Sequence, residues 1–393
     1  MSEPFDEYRW EELLDIIKNP VDMKDDGVFP LASIRRRNGG FFHRETKLGK
    51  DILTKTLSKA VPGTFAISRM QVVHGACSYV PECLSDSFLS ASYTQFQAKS
   101  PPKIDTKYLH YYSHTNDSYN AFLMSSHGVH IEKLTFDIKD WLKRRVKLPP
   151  LPEQKKIVSI LTSVDEVIKN IQKQIDKLQD LKKATMNELL TKGIGHTEFK
   201  DSKLGRIPKS WEVETLNECC EILDSQRIPL NAEERAKRKG DYPYYGANGV
   251  QGYIDDYIFE GDAILLAEDG GNFDQYAERP IAQWVTGRFW VNNHAHILRA
   301  KSGLTDKWVY YSLVHKNILK YINGGTRAKL NQYDLKEIAI LLSPLPEQKK
   351  IASILTSMDK TIEEKQLKLS QTQSLKKSLM QDLLTGKVRV NVN

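Results

Sequence analysis

One stretch of the chain places apolar residues at alternating intervals of four and three: Ile157, Leu161, Val164, Ile168, Ile171, Ile175 and Leu178. This is a heptad seam, and it predicts a helix with a single apolar stripe. Leu181 and Leu189 continue the apolar face after a change of register. A second stretch repeats the pattern at Ile351, Leu355, Met358, Ile362 and Leu369, is interrupted by Lys365 and Thr372, and resumes at Leu375, Leu379 and Leu383. The two stretches are copies of one another. LPEQKKIVSILTSVD begins at Leu151 and LPEQKKIASILTSMD at Leu345, and 23 of 41 positions are identical between 151–191 and 345–385. Pro152 and Pro346 fall where a first-turn proline is tolerated, Glu153 and Glu347 where a carboxylate meets the positive end of the helix, and Gly193 and Gly386 where a helix stops. About 40 residues at 1.5 Å each makes a rod of about 60 Å. A helix with one apolar stripe needs a second stripe to bury it. The expectation is that the two copies pair as an antiparallel coiled coil; the alternative is two separate helices, each packed on its own domain.

The repeats divide the chain into residues 1–147, 148–195, 196–341 and 342–393, two globular regions each followed by a helix. The globular regions are weakly alike: Lys107-Tyr-Leu-His-Tyr-Tyr-Ser answers Lys307-Trp-Val-Tyr-Tyr-Ser. The layout is that of a tandem duplication with a pseudo-twofold relation between the copies. Val72-Val73, Ala263-Ile-Leu-Leu-Ala and Phe289-Trp-Val read as short strands. Tyr108–Ser113 and Trp308–His315 read as helices, and Gly39-Gly40, Asn248-Gly249, Gly270-Gly271 and Gly324-Gly325 as turns. Each globular region is therefore expected to be an α+β or α/β domain.

Composition narrows the function by exclusion. No apolar run approaches the roughly 18–20 residues of a membrane span. The acidic, amphipathic N-terminus has no signal-peptide pattern. Four cysteines in 393 residues, at Cys77, Cys83, Cys219 and Cys220, have neither disulfide-scaffold nor zinc spacing, which suggests reduced thiols in a cytoplasmic protein. The formal charge of +7 is mildly basic. Basic clusters at Arg35-Arg-Arg, Lys143-Arg-Arg, Arg235-Ala-Lys-Arg-Lys and Arg327-Ala-Lys are candidate phosphate contacts, though a solvated surface explains any single one of them more simply.

Catalytic motifs do not emerge. The sequence contains no phosphate loop, HExxH, CxxC, GxSxG elbow or Asn/Asp-Pro-Pro-Tyr/Phe methyltransferase signature. Glu268 and Asp269 with Asn272 could form an acidic metal patch, and a turn with solvated carboxylates explains them more simply. His294 and His296 share one face of a strand with no third ligand nearby in sequence.

The duplicated LPxLPEQKKI–SILTS–D segment, together with Leu189-Leu-Thr, Leu383-Leu-Thr-Gly and Leu204-Gly-Arg-Ile-Pro-Lys-Ser-Trp211, resembles the specificity subunit of type I restriction-modification systems. The resemblance covers essentially the whole chain. It implies two target recognition domains separated by conserved spacer helices. It also implies a non-catalytic chain that binds double-stranded DNA at a bipartite site, two modification subunits that methylate adenine, and up to two restriction subunits. No cofactor is expected on this chain; S-adenosylmethionine, ATP and Mg2+ would belong to the partner subunits. Base-contacting residues vary within this family, so candidates rest on side-chain chemistry, with Arg suited to guanine and Asn or Gln to adenine. They are Arg35, Arg36, Asn38, Arg44, Arg69, Gln71 and Tyr93 in the first region. In the second they are Gln226, Arg227, Tyr245, Asn248, Asn272, Asn292, Arg327 and Lys329, with Gly324, Gly325 and Thr326 as a phosphate clamp. Pro152, Glu153, Gln154, Pro346, Glu347 and Gln348 are the expected partner-docking residues. Two other classes fit less of the sequence: a stand-alone DNA-binding regulator that dimerises through its rod, and a nuclease using Glu268 and Asp269.

Overall fold

The computed structural model describes residues 5–54, 56–324 and 328–391. Contacts divide the chain into two compact units, Met1–Gln172 with Leu367–Asn393, and Lys173–Gln366. Both mix helices with short strands, and each repeated segment forms one continuous helix, Leu151–Lys192 and Leu345–Leu384. The unit boundary falls inside both helices, so each unit holds the start of one and the end of the other.

In the first unit, a four-stranded antiparallel sheet has the order Leu14–Ile17, Tyr93–Ala98, Phe65–Ser68, Cys77–Tyr79. Phe65–Ser68 is buried at every position. Covered on both faces, its sequence shows no polar alternation. The helix Thr106–Tyr112 packs on this sheet, and it starts where the Asp105 carboxylate accepts from the amides of Lys107 and Tyr108. A second sheet has the order Pro20–Val21, Leu57–Lys59, Phe88–Ser90, Val28–Ile34, Phe41–Leu48. The main core joins Trp10, Phe65, Phe96, Tyr108, Phe122 and Trp141 to Ile157 and Leu161 of the first long helix and Leu383 and Leu384 of the second. Trp10 and Trp141 stack with centroids 4.9 Å apart.

The second unit has the same design. Its antiparallel sheet has the order Cys220–Ile222, Ala295–Ala300, Ala263–Ala267, Ala282–Val285, and its other main sheet the order Gly249–Ile254, Lys239–Gly246, Arg288–Val291, Phe259–Glu260. Ala263–Ala267 is wholly buried, as Phe65–Ser68 is. Trp211 and Trp308 pack with Met186 of the first long helix and Ile351 and Leu355 of the second. Ile157, Leu161, Ile351 and Leu355 are each 0% exposed, and burial of such a side chain contributes roughly 1.5–3 kcal/mol.

Most of the heptad positions face inward, but Leu181 and Leu375, which are equivalent in the repeat, are 56% and 54% exposed. Their neighbours turn inward instead. In the first unit Lys376 pairs with Asp165 at 2.6 Å, and Asp165 accepts the Tyr111 hydroxyl at 2.8 Å. In the second, Lys182 pairs with Asp359, which accepts the Tyr311 hydroxyl at 2.7 Å. Each unit thus ties both long helices to its globular part through one carboxylate, and the seam gives way to polar contacts where the tyrosine enters. Val72-Val73 is also not a strand. It lies in a tight turn, Val72–His74, closed by Gly75 at φ +75°, because two apolar residues are too few to separate a strand from a buried turn.

Candidate nucleic-acid interface

In both units a hairpin tip is brought against the turn that follows the buried central strand. In the first unit the hairpin Val28–Ile34/Phe41–Leu48 closes through a turn in which the Gly39 amide donates to the Arg36 carbonyl at 3.2 Å. Arg37 and Asn38 both have φ +56°, the pattern of a type I′ turn, whose twist matches that of the flanking strands. The tip is pinned by two backbone bonds, Arg37 amide to His74 carbonyl at 2.6 Å and Asn38 amide to Gly75 carbonyl at 3.0 Å. Position 75 has to be glycine here, since a Cβ would lie 2.6 Å from the Asn38 Oδ1. In the second unit the hairpin Lys239–Gly246/Gly249–Ile254 turns at Ala247-Asn248, and the Asn248 amide group donates to the Gly270 carbonyl at 2.8 Å. A cavity of about 240 Å3 opens there, lined by Asn248, Gln251, Asp269, Gly270 and His294 among others.

The candidates of the first unit fall into distinct settings. Arg35, Arg36 and Arg37 are all exposed on the tip. The Arg35 guanidinium lies 4.2 Å from the Phe42 ring centroid, and Arg36 pairs with Glu132 at 3.7 Å. Gln71 and Asn38 border the contact between the two turns, and the buried atoms Gln71 Oε1 and Asn38 Oδ1 have no hydrogen-bond partner among the described residues. Arg69 is exposed beside the same turn. Arg44 is held by Glu45 at 2.7 Å, on the outer strand of the hairpin. Tyr93 is a positioning residue: its hydroxyl meets Ser33 Oγ at 2.7 Å and the Ile34 amide at 3.4 Å, fixing the strand that enters the tip.

In the second unit Asn292 is 4% exposed. It donates to Gln251 Oε1 at 3.1 Å and accepts the His294 amide at 2.8 Å, shaping the cavity wall. Tyr245 sits one strand away, edge-on to Phe289, and its carbonyl accepts the Asn292 amide. Asn272 donates to the Pro280 carbonyl, Gln226 is exposed, and Gly324 lies on the surface. Gly325, Thr326 and Arg327 are outside the described residues.

Of two further candidates, Arg227 is held inside a buried ion network and Lys329 caps it from the surface. Arg227 Nη1 donates to Glu268 Oε2 at 2.7 Å and to the Ala295 carbonyl at 2.9 Å, and Lys329 pairs with Glu268 Oε1 at 3.1 Å. Asp224 accepts from His296 Nδ1 at 2.6 Å and from the Ile297 amide at 3.0 Å, and His296 Nε2 faces the Leu330 carbonyl. Burial pushes the Asp224 and Glu268 carboxyls upward. Hydrogen bonds and charge from His296 and Arg227 more than offset this and hold both below the usual carboxylate range. Asp224, Glu268 and His296 present ligand-type atoms within 4.8 Å of one another, yet an arginine and a lysine already supply their counter-charge. The cluster is a structural ion network, and the Arg227 guanidinium is engaged within it by Glu268 and the Ala295 carbonyl.

The docking candidates are also placed differently from the expectation. Gln154 and Gln348 are 0% and 1% exposed. Gln154 donates to the Pro149 and Lys103 carbonyls, and Gln348 to the Ser343 carbonyl. Glu153 receives Arg389 through two side-chain bonds of 2.8 and 2.6 Å, and Glu347 receives Trp211 Nε1, the Ile194 amide and His196. These polar groups satisfy buried neighbours at the helix starts, which leaves Pro152 and Pro346 as the exposed members of the set.

The type I restriction modification DNA specificity domain family matches residues 2–180 and 208–371. The type I restriction enzyme MjaVIII specificity subunit of Methanocaldococcus jannaschii is 30% identical over 316 residues, covering 74% of this chain and 72% of that one. A putative type I restriction enzyme specificity subunit of Haemophilus influenzae, S.HindORF215P, is 35% identical over 158 residues, 39% of this chain and 40% of its own length. The putative MjaX specificity subunit of M. jannaschii is 33% identical over 256 residues, 63% of this chain and 60% of its own length. The chain therefore aligns with only about two fifths and three fifths of those two relatives. Among solved structures, the S subunit of a type I restriction-modification system from M. genitalium superposes with a TM-score of 0.64 at 16% identity, covering 96% of both chains. That likeness concerns fold. Among the described residues no helix is long and apolar enough to cross a membrane.

Proposed function

As this chain belongs to the type I restriction-modification DNA specificity family, we propose that it selects the DNA sequence on which a multisubunit methyltransferase and nuclease acts. Each unit reads one half of a bipartite site through its paired turns. The two long helices pair as an antiparallel coiled coil with pseudo-twofold symmetry and hold the readers at a fixed spacing. Two modification subunits bind the chain and methylate adenine, and up to two restriction subunits join them. S-adenosylmethionine, ATP and Mg2+ are held by those partners in the cytoplasm, and this chain contributes recognition without catalysis.

The observation that carries this reading is the repeated head. Two regions of little sequence likeness present the same hairpin tip against the same post-strand turn. Exposed loops on a rigid scaffold are where recognition residues concentrate, and base edges in the major groove distinguish all four base pairs. The repeated Lys-Asp-Tyr ties support the spacer, since each joins both long helices to one head. Sequencing of methylated adenines in a host carrying the whole operon tests the proposal. The expected result is a split motif with a constant unread gap, in which replacing residues 1–147 by the equivalent region of a relative changes one half only. A continuous motif, or a replacement that alters both halves, contradicts it.

A further inference from the structure

The tip of the first unit carries an arginine that the surrounding structure does not use. Of the three consecutive arginines, Arg35 lies over Phe42 and Arg36 pairs with Glu132. The Arg37 side chain has no hydrogen bond, ion pair or ring contact among the described residues, although its backbone is the most constrained of the three. Its φ of +56° is uncommon for a residue with a long side chain, and such conformations persist where the surroundings impose them. Here the surroundings are the two bonds to the His74 and Gly75 carbonyls. A turn shaped for stability alone would carry Asn-Gly at its centre, where this one has Arg37-Asn38. The same contact leaves the Asn38 and Gln71 oxygens unpaired, and buried unpaired acceptors are infrequent in native proteins. Local rules are thus broken at one spot, and the product is a guanidinium projecting from a rigid hairpin tip with its donors free.

We propose that Arg37 is the residue with which the first unit identifies a guanine in its half-site. A guanidinium donates in parallel to guanine O6 and N7, a pattern no other base offers in the major groove. The pinned tip fixes the backbone from which the side chain projects, so ordering on binding is confined to the side chain's own rotamers. Arg35 and Arg36, held by a ring and a carboxylate, flank the tip and steady the approach to phosphate. This assignment rests on the reading of the chain as a DNA specificity subunit.

The test is methylated-adenine sequencing of the complete system with Arg37→Gly and Arg37→Lys. Glycine relieves the positive φ, so Arg37→Gly is expected to melt no lower than the wild type. It should nevertheless lose discrimination at one G·C position of one half-site, by about 5–150-fold for a single bidentate contact. The set of modified sites then grows about fourfold, as one position accepts any base, while the gap and the other half-site stay as they were. Arg37→Lys, whose ammonium still donates to O6 and N7 but lacks the planar fork, should relax the same position less than Arg37→Gly does. A motif unchanged in Arg37→Gly overturns the assignment, and so does a uniform loss at all sites with the motif intact, which would make Arg37 a phosphate contact. A wild type with no split motif overturns the functional reading of the whole chain, a distinguishable failure.

Discussion

Trp211→Ala is expected to lower the stability of the second unit by about 3–5 kcal/mol, the range for removing a large buried aromatic. Trp211 is 0% exposed. It stands edge-on to Trp308 at 5.4 Å, shares a core with both long helices, and donates Nε1 to Glu347 at 2.8 Å. Truncation empties a site between rigid elements and also removes a donor from a carboxylate that is already half-buried. Trp211→Phe should recover part of the packing but not the hydrogen bond, and so should fall between the two. Urea denaturation followed by circular dichroism measures both; a loss below about 1 kcal/mol for Trp211→Ala would mean that the site collapses freely.

Arg227→Met is expected to cost about 3–5 kcal/mol at neutral pH, the range for breaking a buried ion pair from one side. The side chains of Asp224 and Glu268 are 5% and 12% exposed, and without Arg227 their charge loses its main counter-ion on that side. The pH dependence has a definite sign. In the wild type both carboxyls titrate below their ordinary values. Their contribution is therefore present above the unfolded-state values, near pH 4, and is lost as pH falls through the lower folded values. In Arg227→Met the carboxyls keep His296 and Lys329 but lose Arg227, so their folded values rise relative to the wild type and the variant's deficit grows as pH climbs through them. The stability gap between the proteins should widen from pH 4 to pH 7, and a gap that is constant with pH would place the cost in packing instead of charge.

The same residues show what the sequence discloses. The long helices are legible because a heptad seam is a local pattern and the duplication supplies a second copy of it. The buried strand at 263–267 is legible because both its faces are apolar. Arg227 is a candidate on residue type alone; Asp224 is a local partner, but Glu268 and Ala295 lie far along the chain, and no local pattern discloses the burial they impose. Repetition marks the Pro-Glu-Gln entries but cannot distinguish an exposed docking group from a buried group at a helix start, where Gln154 and Gln348 lie. Val72-Val73 reads as a strand yet forms a turn, because two residues carry no period. Nothing in three adjacent arginines singles out Arg37, because its positive φ and its neighbours' contacts with Phe42 and Glu132 arise only in the folded chain. The Arg-Arg-Arg-Asn-Gly-Gly run was the one available hint that the tip was a turn.

In the proposed function the long helices act as a spacer between two independent readers. Inserting one heptad into both, after Gln172 and after Gln366, adds about 10.5 Å of helix while keeping the apolar stripes in phase. Methylated-adenine sequencing should then show both half-sites unchanged and the unread gap lengthened by about three base pairs at 3.4 Å each. An active complex whose gap keeps its original length, or whose half-site sequences change, would rule out a spacer role for these helices.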